Sequence, residues 1–166
     1  MKTKKLVIAA LLIALCFIGS YVEIFSTIAF DSMPGFLGTL VLGPVYGAII
    51  GAIGHFLTAF LRGFPQTLPV HIIIMFAMAF TMVAFGHVYK YFEAKNKKLA
   101  NVLSLITGTI INGPLTMFIL TPLLLPMMGK AGIISFTPIL TLIAALNILL
   151  AQIIYKFLPK EFKLWK

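Results

Sequence analysis

Charge is scarce in this chain. Of its 166 residues, 10% are charged, and four are acidic: Glu23, Asp31, Glu93 and Glu161. A soluble domain carries about a quarter of its residues as charge, so this chain cannot cover a water-facing surface. Cysteine is nearly absent too. Cys16 stands alone inside an apolar run, which excludes an internal disulfide and suits a small packing residue. Motifs that carry chemistry are missing: no phosphate-cradling glycine loop ending in Lys-Ser/Thr, no paired zinc-ligand spacing, no Gly-x-Ser-x-Gly elbow. No carboxylate falls inside an apolar run, whereas pumps and ion-coupled carriers use buried acids. A chain of this length holds one domain, residues 1–166, with no room for a separate ATP-binding unit.

What is abundant is hydrocarbon. Hydrophobic residues make up 61% of the chain and run continuously through roughly 4–22, 34–61, 69–90, 99–123 and 136–158. Continuous runs indicate helices, since alternation would mark strands. About 20 apolar residues cross the hydrocarbon core, and a backbone in lipid must satisfy its own hydrogen bonds. The expected fold is therefore all-α, an integral membrane bundle. The first run follows Lys2, Lys4 and Lys5 as in a signal peptide, but Gly19-Ser20-Tyr21 is a poor cleavage site, so a retained helix is expected.

Charge distribution sets the number of crossings. Lysines cluster at 2–5, 90–98 and 156–166, and such clusters belong on the cytoplasmic side. An even number of spans must separate each pair. Between the first two clusters lie three apolar runs, so one must be double. The 34–61 run contains Gly43-Pro44, and proline breaks the helix that precedes it. Read as two short helices turning there, each about 20 Å long, it brings the total to six transmembrane helices with both termini cytoplasmic. Eleven of the 13 basic residues are then inside; Arg62 and Lys130 are outside, with Glu23 and Asp31.

The outer connections, about 21–34, 62–69 and 122–136, are longer and apolar, carrying Phe25 and several prolines. Long apolar loops over a bundle mouth suit a bound small molecule. Polar groups at membrane depth add candidates: His71 near the outer end and Asn112 in the outer half, His55 and Asn147 near the middle of their helices, and His87 and Gln152 toward the inner half. Asn112-Gly113-Pro114 is expected to break the fifth helix and expose backbone groups. An asparagine offers both donor and acceptor, which suits a neutral heterocycle. From the loops, Tyr21, Phe30, Asp31, Arg62, Phe64 and Gln66 join the candidate set. Each lone polar residue has a plainer alternative, an interhelical hydrogen bond or a solvated charge. No metal site and no cofactor is expected.

Small residues recur at spacing four: Ala10 and Ala14 on the first helix, and Gly43, Gly47 and Gly51 on the hairpin. Such stripes let helices approach closely, either within the bundle or against a partner.

The stretch from Met33 to His55, with Pro34-Gly35, Gly43-Pro44, Gly47-Ala48 and Gly51-Ala52, resembles the second and third helices of the substrate-binding S components of energy-coupling factor (ECF) vitamin transporters. Ala10-x-x-x-Ala14 resembles that family's alanine motif, and the resemblance extends over nearly the whole chain. It implies a membrane subunit that binds a vitamin or precursor from outside and topples to deliver it. Partners would be a transmembrane coupling subunit, met at Ala10 and Ala14, and two ATPase subunits that hydrolyse the ATP. A bacterial cytoplasmic membrane is implied, and no enzyme activity in this chain. The chain is most similar to members that take up cobalamin precursors, such as α-ribazole or its benzimidazole base. Riboflavin, thiamine or its pyrimidine precursor, and pantothenate remain open. So do a self-sufficient secondary transporter, a structural subunit without ligand, and a membrane enzyme.

Overall fold

The computed structural model describes residues 2–21, 23–24 and 28–165, with the backbone alone for 23–24, 28 and 29. Phe25 lies outside the described residues, as does the side chain of Glu23. The order of elements is α1 (Lys2–Ser20), a two-residue antiparallel pair β1 (Glu23–Ile24) and β2 (Ile28–Ala29), α2 (Met33–Leu42), α3 (Pro44–Leu61), α4 (Leu68–Glu93), α5 (Lys97–Ile110), a π-helical turn (Ile111–Leu115) and α6 (Thr116–Phe157). A 3-10 turn, Lys160–Phe162, follows.

Four helical stretches are long and apolar enough to cross a membrane: Lys2–Ser20, Pro44–Leu61, Leu68–Glu93 and the continuous Lys97–Phe157. Met33–Leu42 is a shorter apolar helix. Their outer faces are hydrocarbon, with Val45, Ile134, Phe118 and Phe157 each at least 68% exposed. Such faces are stable only against lipid or partner protein.

The turn at Gly43-Pro44 is present. Gly43 has φ 102° and ψ 168°, a conformation glycine tolerates, and Pro44 starts α3. The two helices it joins are unequal, which corrects the expected pair of 20 Å rods. At 1.5 Å per residue, α2 is about 15 Å long and α3 about 27 Å. Two further expectations fail. Asn112-Gly113-Pro114 does not break the helix: Pro114 lacks an N–H, and the chain absorbs the loss with a π-helical turn and stays helical. The Thr116 hydroxyl donates to the Ile111 carbonyl across that turn, 2.7 Å. Nor is 122–136 a long loop. Pro122, Pro126 and Pro138 all lie within helix, and the only non-helical residue is Gly129, with φ 66° and ψ 176°.

Glycines let the first helices pack backbone to backbone. A Cβ at Gly47 would sit 2.8 Å from the Thr39 Cα, and one at Gly35 3.1 Å from the Gly51 Cα. Gly54 receives the buried Cys16 thiol. Ala9, Leu12 and Cys16 face this interior, whereas Ala10 and Ala14 are exposed on the opposite side of α1. The main core runs from here through Met82, Phe85 and Tyr89 of α4 to Ile148 of α6, with Phe36 edge-on to Phe85 at 5.1 Å.

One end of the bundle gathers the basic clusters. The N–H groups of Leu164 and Trp165 both donate to the Val41 carbonyl at 2.9 Å, so the C-terminal segment folds back over Gly43. Lys4 donates to the Glu161 carbonyl, 2.8 Å, and Lys90 lies over the Trp165 ring. Asn96 caps α5 in the lysine-rich connection, accepting from Lys98 and Leu99 N–H at 2.8 and 3.1 Å.

Candidate functional site

At the other end the interior opens. A cavity of about 130 Å³ lies between α3, α4, the π-helical turn and α6. That is roughly ten times the volume that admits one water. Its walls are chiefly apolar: Val70, Ile74 and Met78 from α4, and Met117, Leu120, Leu124, Phe136 and Leu140 from α6. A second apolar cluster, built on Val70, Met117, Leu120 and Leu124, forms this wall.

Seven of the ten candidate contacts line the cavity: Asp31, His55, Arg62, Gln66, His71, Asn112 and Asn147. Asp31, His55 and His71 form one hydrogen-bonded chain. Asp31 Oδ2 lies 3.2 Å from His55 Nδ1, and His55 Nε2 lies 3.2 Å from His71 Nδ1. The far end, His71 Nε2, is buried and has no hydrogen-bond partner, and the same holds for the Thr58 hydroxyl in the cavity wall. Buried polar groups are normally paired, so these two orphans, on two residues of one cavity wall, are exceptions that call for an explanation. A third orphan among the described residues, Thr109 Oγ1, is not in this wall.

Asn112 is buried and projects from the π-helical turn, a geometry that recurs at functional sites. Asn147 is occupied differently. Its Oδ1 accepts the Met33 N–H at 2.8 Å, and its Nδ2 donates to the Ile143 carbonyl at 3.0 Å. Its amide thus caps the start of α2 from across the bundle. Arg62 donates to the Ser20 carbonyl at 2.6 Å and lies over the Tyr21 ring, tying the α3 end to α1.

Tyr21, Phe30 and Phe64 do not line the cavity. Tyr21 is 68% exposed beside Phe17 and Arg62. The Phe30 carbonyl packs against Gly19. Phe64 sits one shell out: its N–H closes α3 on the Ala59 carbonyl at 2.8 Å, and its ring covers His71 at 5.8 Å. It does so with φ 53°, in the left-handed region, so its backbone is strained to hold the ring there.

The inner polar residues are accounted for by structure. The Gln152 amide donates to the Asn101 carbonyl and the Ser104 hydroxyl, binding α6 to α5. His87 is exposed, with Nδ1 on its own helix's Val83 carbonyl. Thr58, Ser32 and the apolar wall were not among the sequence candidates. Helical spacing held a signal for some of them: Thr58 follows His55 by three, and Val70, Ile74 and Met78 recur every four residues.

Among the described residues, no group of three or more His, Cys, Asp or Glu side chains is placed to hold a metal ion. A family model described as "ECF transporter, substrate-specific component" matches residues 4–160. No curated protein and no solved structure matches the chain.

Proposed function

The chain belongs to the family of ECF transporter substrate-specific components, and we propose that its cavity captures a vitamin or vitamin precursor from outside the cell. α-Ribazole or a related cobalamin precursor is the leading candidate; riboflavin, a thiamine precursor and pantothenate are the alternatives. The family makes the chain a multi-pass membrane protein and the substrate-binding subunit of an importer, with ATP hydrolysis in partner subunits. In the full reading the chain has six spans: α1, α2, α3, α4 and two from Lys97–Phe157, folded at Gly129. Both termini lie in the cytoplasm of a bacterial cell. The gathering of the lysine clusters at one end supports that topology.

The observation that carries the reading is the apolar cavity at the opposite end, with the buried, unpartnered His71 Nε2 and Thr58 hydroxyl in its wall. An apolar chamber with a few convergent polar atoms fits a small ring compound. His55, His71, Asn112, Gln66, Asp31 and Arg62 are the polar residues of that site. Asn147 helps shape it by fixing α2. Tyr21, Phe30 and Phe64 belong to its cover, over the cavity mouth.

Uptake requires the transmembrane coupling subunit and two ATPases. The exposed Ala10 and Ala14 of α1 form the docking stripe, since small residues let a partner helix approach closely. The test is uptake of labelled vitamins by bacterial cells expressing the chain with and without a coupling module. Accumulation of one compound only when the module is present supports the reading. Uptake by the chain alone under an ion gradient would make it a secondary transporter.

A further inference from the structure

The direction of hydrogen bonding along Asp31, His55 and His71 can be read from the ring nitrogens involved. A carboxylate only accepts, so His55 Nδ1 must carry the proton that faces Asp31 Oδ2, 3.2 Å away. A neutral imidazole has one N–H, so His55 Nε2 is then bare. Bare, it accepts from His71 Nδ1, also 3.2 Å away, which places the single proton of His71 on Nδ1. His71 Nε2 is left as a lone pair. That atom is buried, lacks a protein partner and belongs to a residue of the cavity wall. Among the described residues of the cavity wall, the one Lys or Arg side chain is Arg62, which donates to the Ser20 carbonyl.

We infer that the Asp31–His55–His71 chain presents a hydrogen-bond acceptor to the cavity, so that its ligand is a neutral ring compound with an N–H or O–H donor turned toward His71 Nε2. This deepens the importer reading and rests on it. Asp31 and His55 are positioning residues, since they fix the tautomer of His71 without lining up as its ligand contacts. Thr58 stands three residues beyond His55 on the same face of α3, and its unpartnered hydroxyl can donate or accept. The pair reads a donor beside a second polar atom, the pattern on the edge of many nitrogen heterocycles. A carboxylate or phosphate turned toward His71 Nε2 would meet lone pair against lone pair.

Two measurements on the intact chain in lipid nanodiscs test this. The first is nitrogen-15 NMR of labelled histidines at pH 7.5, without ligand. The expected result is His55 and His71 both protonated at Nδ1 and bare at Nε2; a proton on His71 Nε2 overturns the inference. The second is binding of 5,6-dimethylbenzimidazole and riboflavin, each beside the analogue methylated on its ring N–H. Methylation of the compound that binds should weaken it at least about tenfold in the native chain, as loss of a buried hydrogen bond does. The penalty should shrink to under about threefold in His71→Phe, and His71→Gln should restore part of it. An equal penalty in the native chain and His71→Phe, or none in either, overturns the inference and leaves the importer reading standing. Should neither compound bind, these two ligands are excluded from the importer reading, and the NMR result alone decides the polarity.

Discussion

The two halves of the bundle are built from the same apolar residue types, yet one is closed and the other is open. In the closed half, around Phe36, Met82, Phe85, Tyr89 and Ile148, glycines bring backbones together and aromatic rings fill the interior. Three of its buried hydroxyls are satisfied locally: Thr39 donates to Gly35, Thr81 to Ala77 and Ser104 to Asn101, each on its own helix. In the open half, Val70, Met117, Leu120 and Leu124 meet across a cavity, and His71 and Thr58 keep unpaired polar atoms in its wall. Hydrophobicity alone does not distinguish the halves. The distinction lies in the cavity itself and in the two unpartnered polar atoms carried by residues of its wall.

The largest effect should come from outside both halves. Ala10→Trp or Ala14→Trp on the exposed stripe of α1 should abolish uptake in cells while leaving ligand affinity in detergent unchanged. A parallel loss of binding would show that the stripe packs within the bundle. Next comes a direct comparison of core truncations. Met82→Ala in the closed half should cost about 2–5 kcal/mol, the range for a buried methionine. Met117→Ala in the cavity wall should cost clearly less, because one side of that residue already lacks contacts. Denaturant or thermal unfolding of the two variants would check this, and equal losses would erase the distinction between the halves.

A smaller but more discriminating pair is Asn112→Leu against Asn147→Leu. Asn147 accepts the Met33 N–H, so its loss should destabilise the chain by about 1–3 kcal/mol by orphaning that group. Asn112→Leu should lower affinity about tenfold with little change in melting temperature. The smallest effect should be that of Thr58→Val. Removing an unpaired buried hydroxyl should leave stability unchanged or slightly raised, while affinity falls by a few fold.

Much of this architecture could be read from the sequence because it depends on local rules. Gly43-Pro44 forces a turn wherever it falls in an apolar run, and the lysine clusters report which helix ends share a side. Depth then put His71 and Asn112 toward the outer end, with His55 and Asn147 near the middle of their helices. What could not be read depends on contacts between distant segments. Asp31 reaches His55 from the loop before α2, and nothing in the spacing of the two announces it. Asn147 spends its amide on Met33, 114 residues away. Asn112-Gly113-Pro114 has the composition of a break, yet neighbouring helices and a π-helical turn keep it helical. The three prolines of α6 misled in the same way, since proline is tolerated in a membrane helix when the freed carbonyls find other partners. The 122–136 segment is therefore part of the cavity wall, through Leu124 and Met128, and no loop covers the mouth there.

The most direct test of the account is native mass spectrometry of the intact chain, released from lipid nanodiscs after incubation with a panel of vitamins and precursors. The account predicts one molecule of one compound per chain, retained by Ala14→Trp and bound about tenfold more weakly by His71→Phe. A chain that stays empty across the panel and shows no thermal shift with any member would contradict it, and would leave the open half of the bundle without a ligand to explain it.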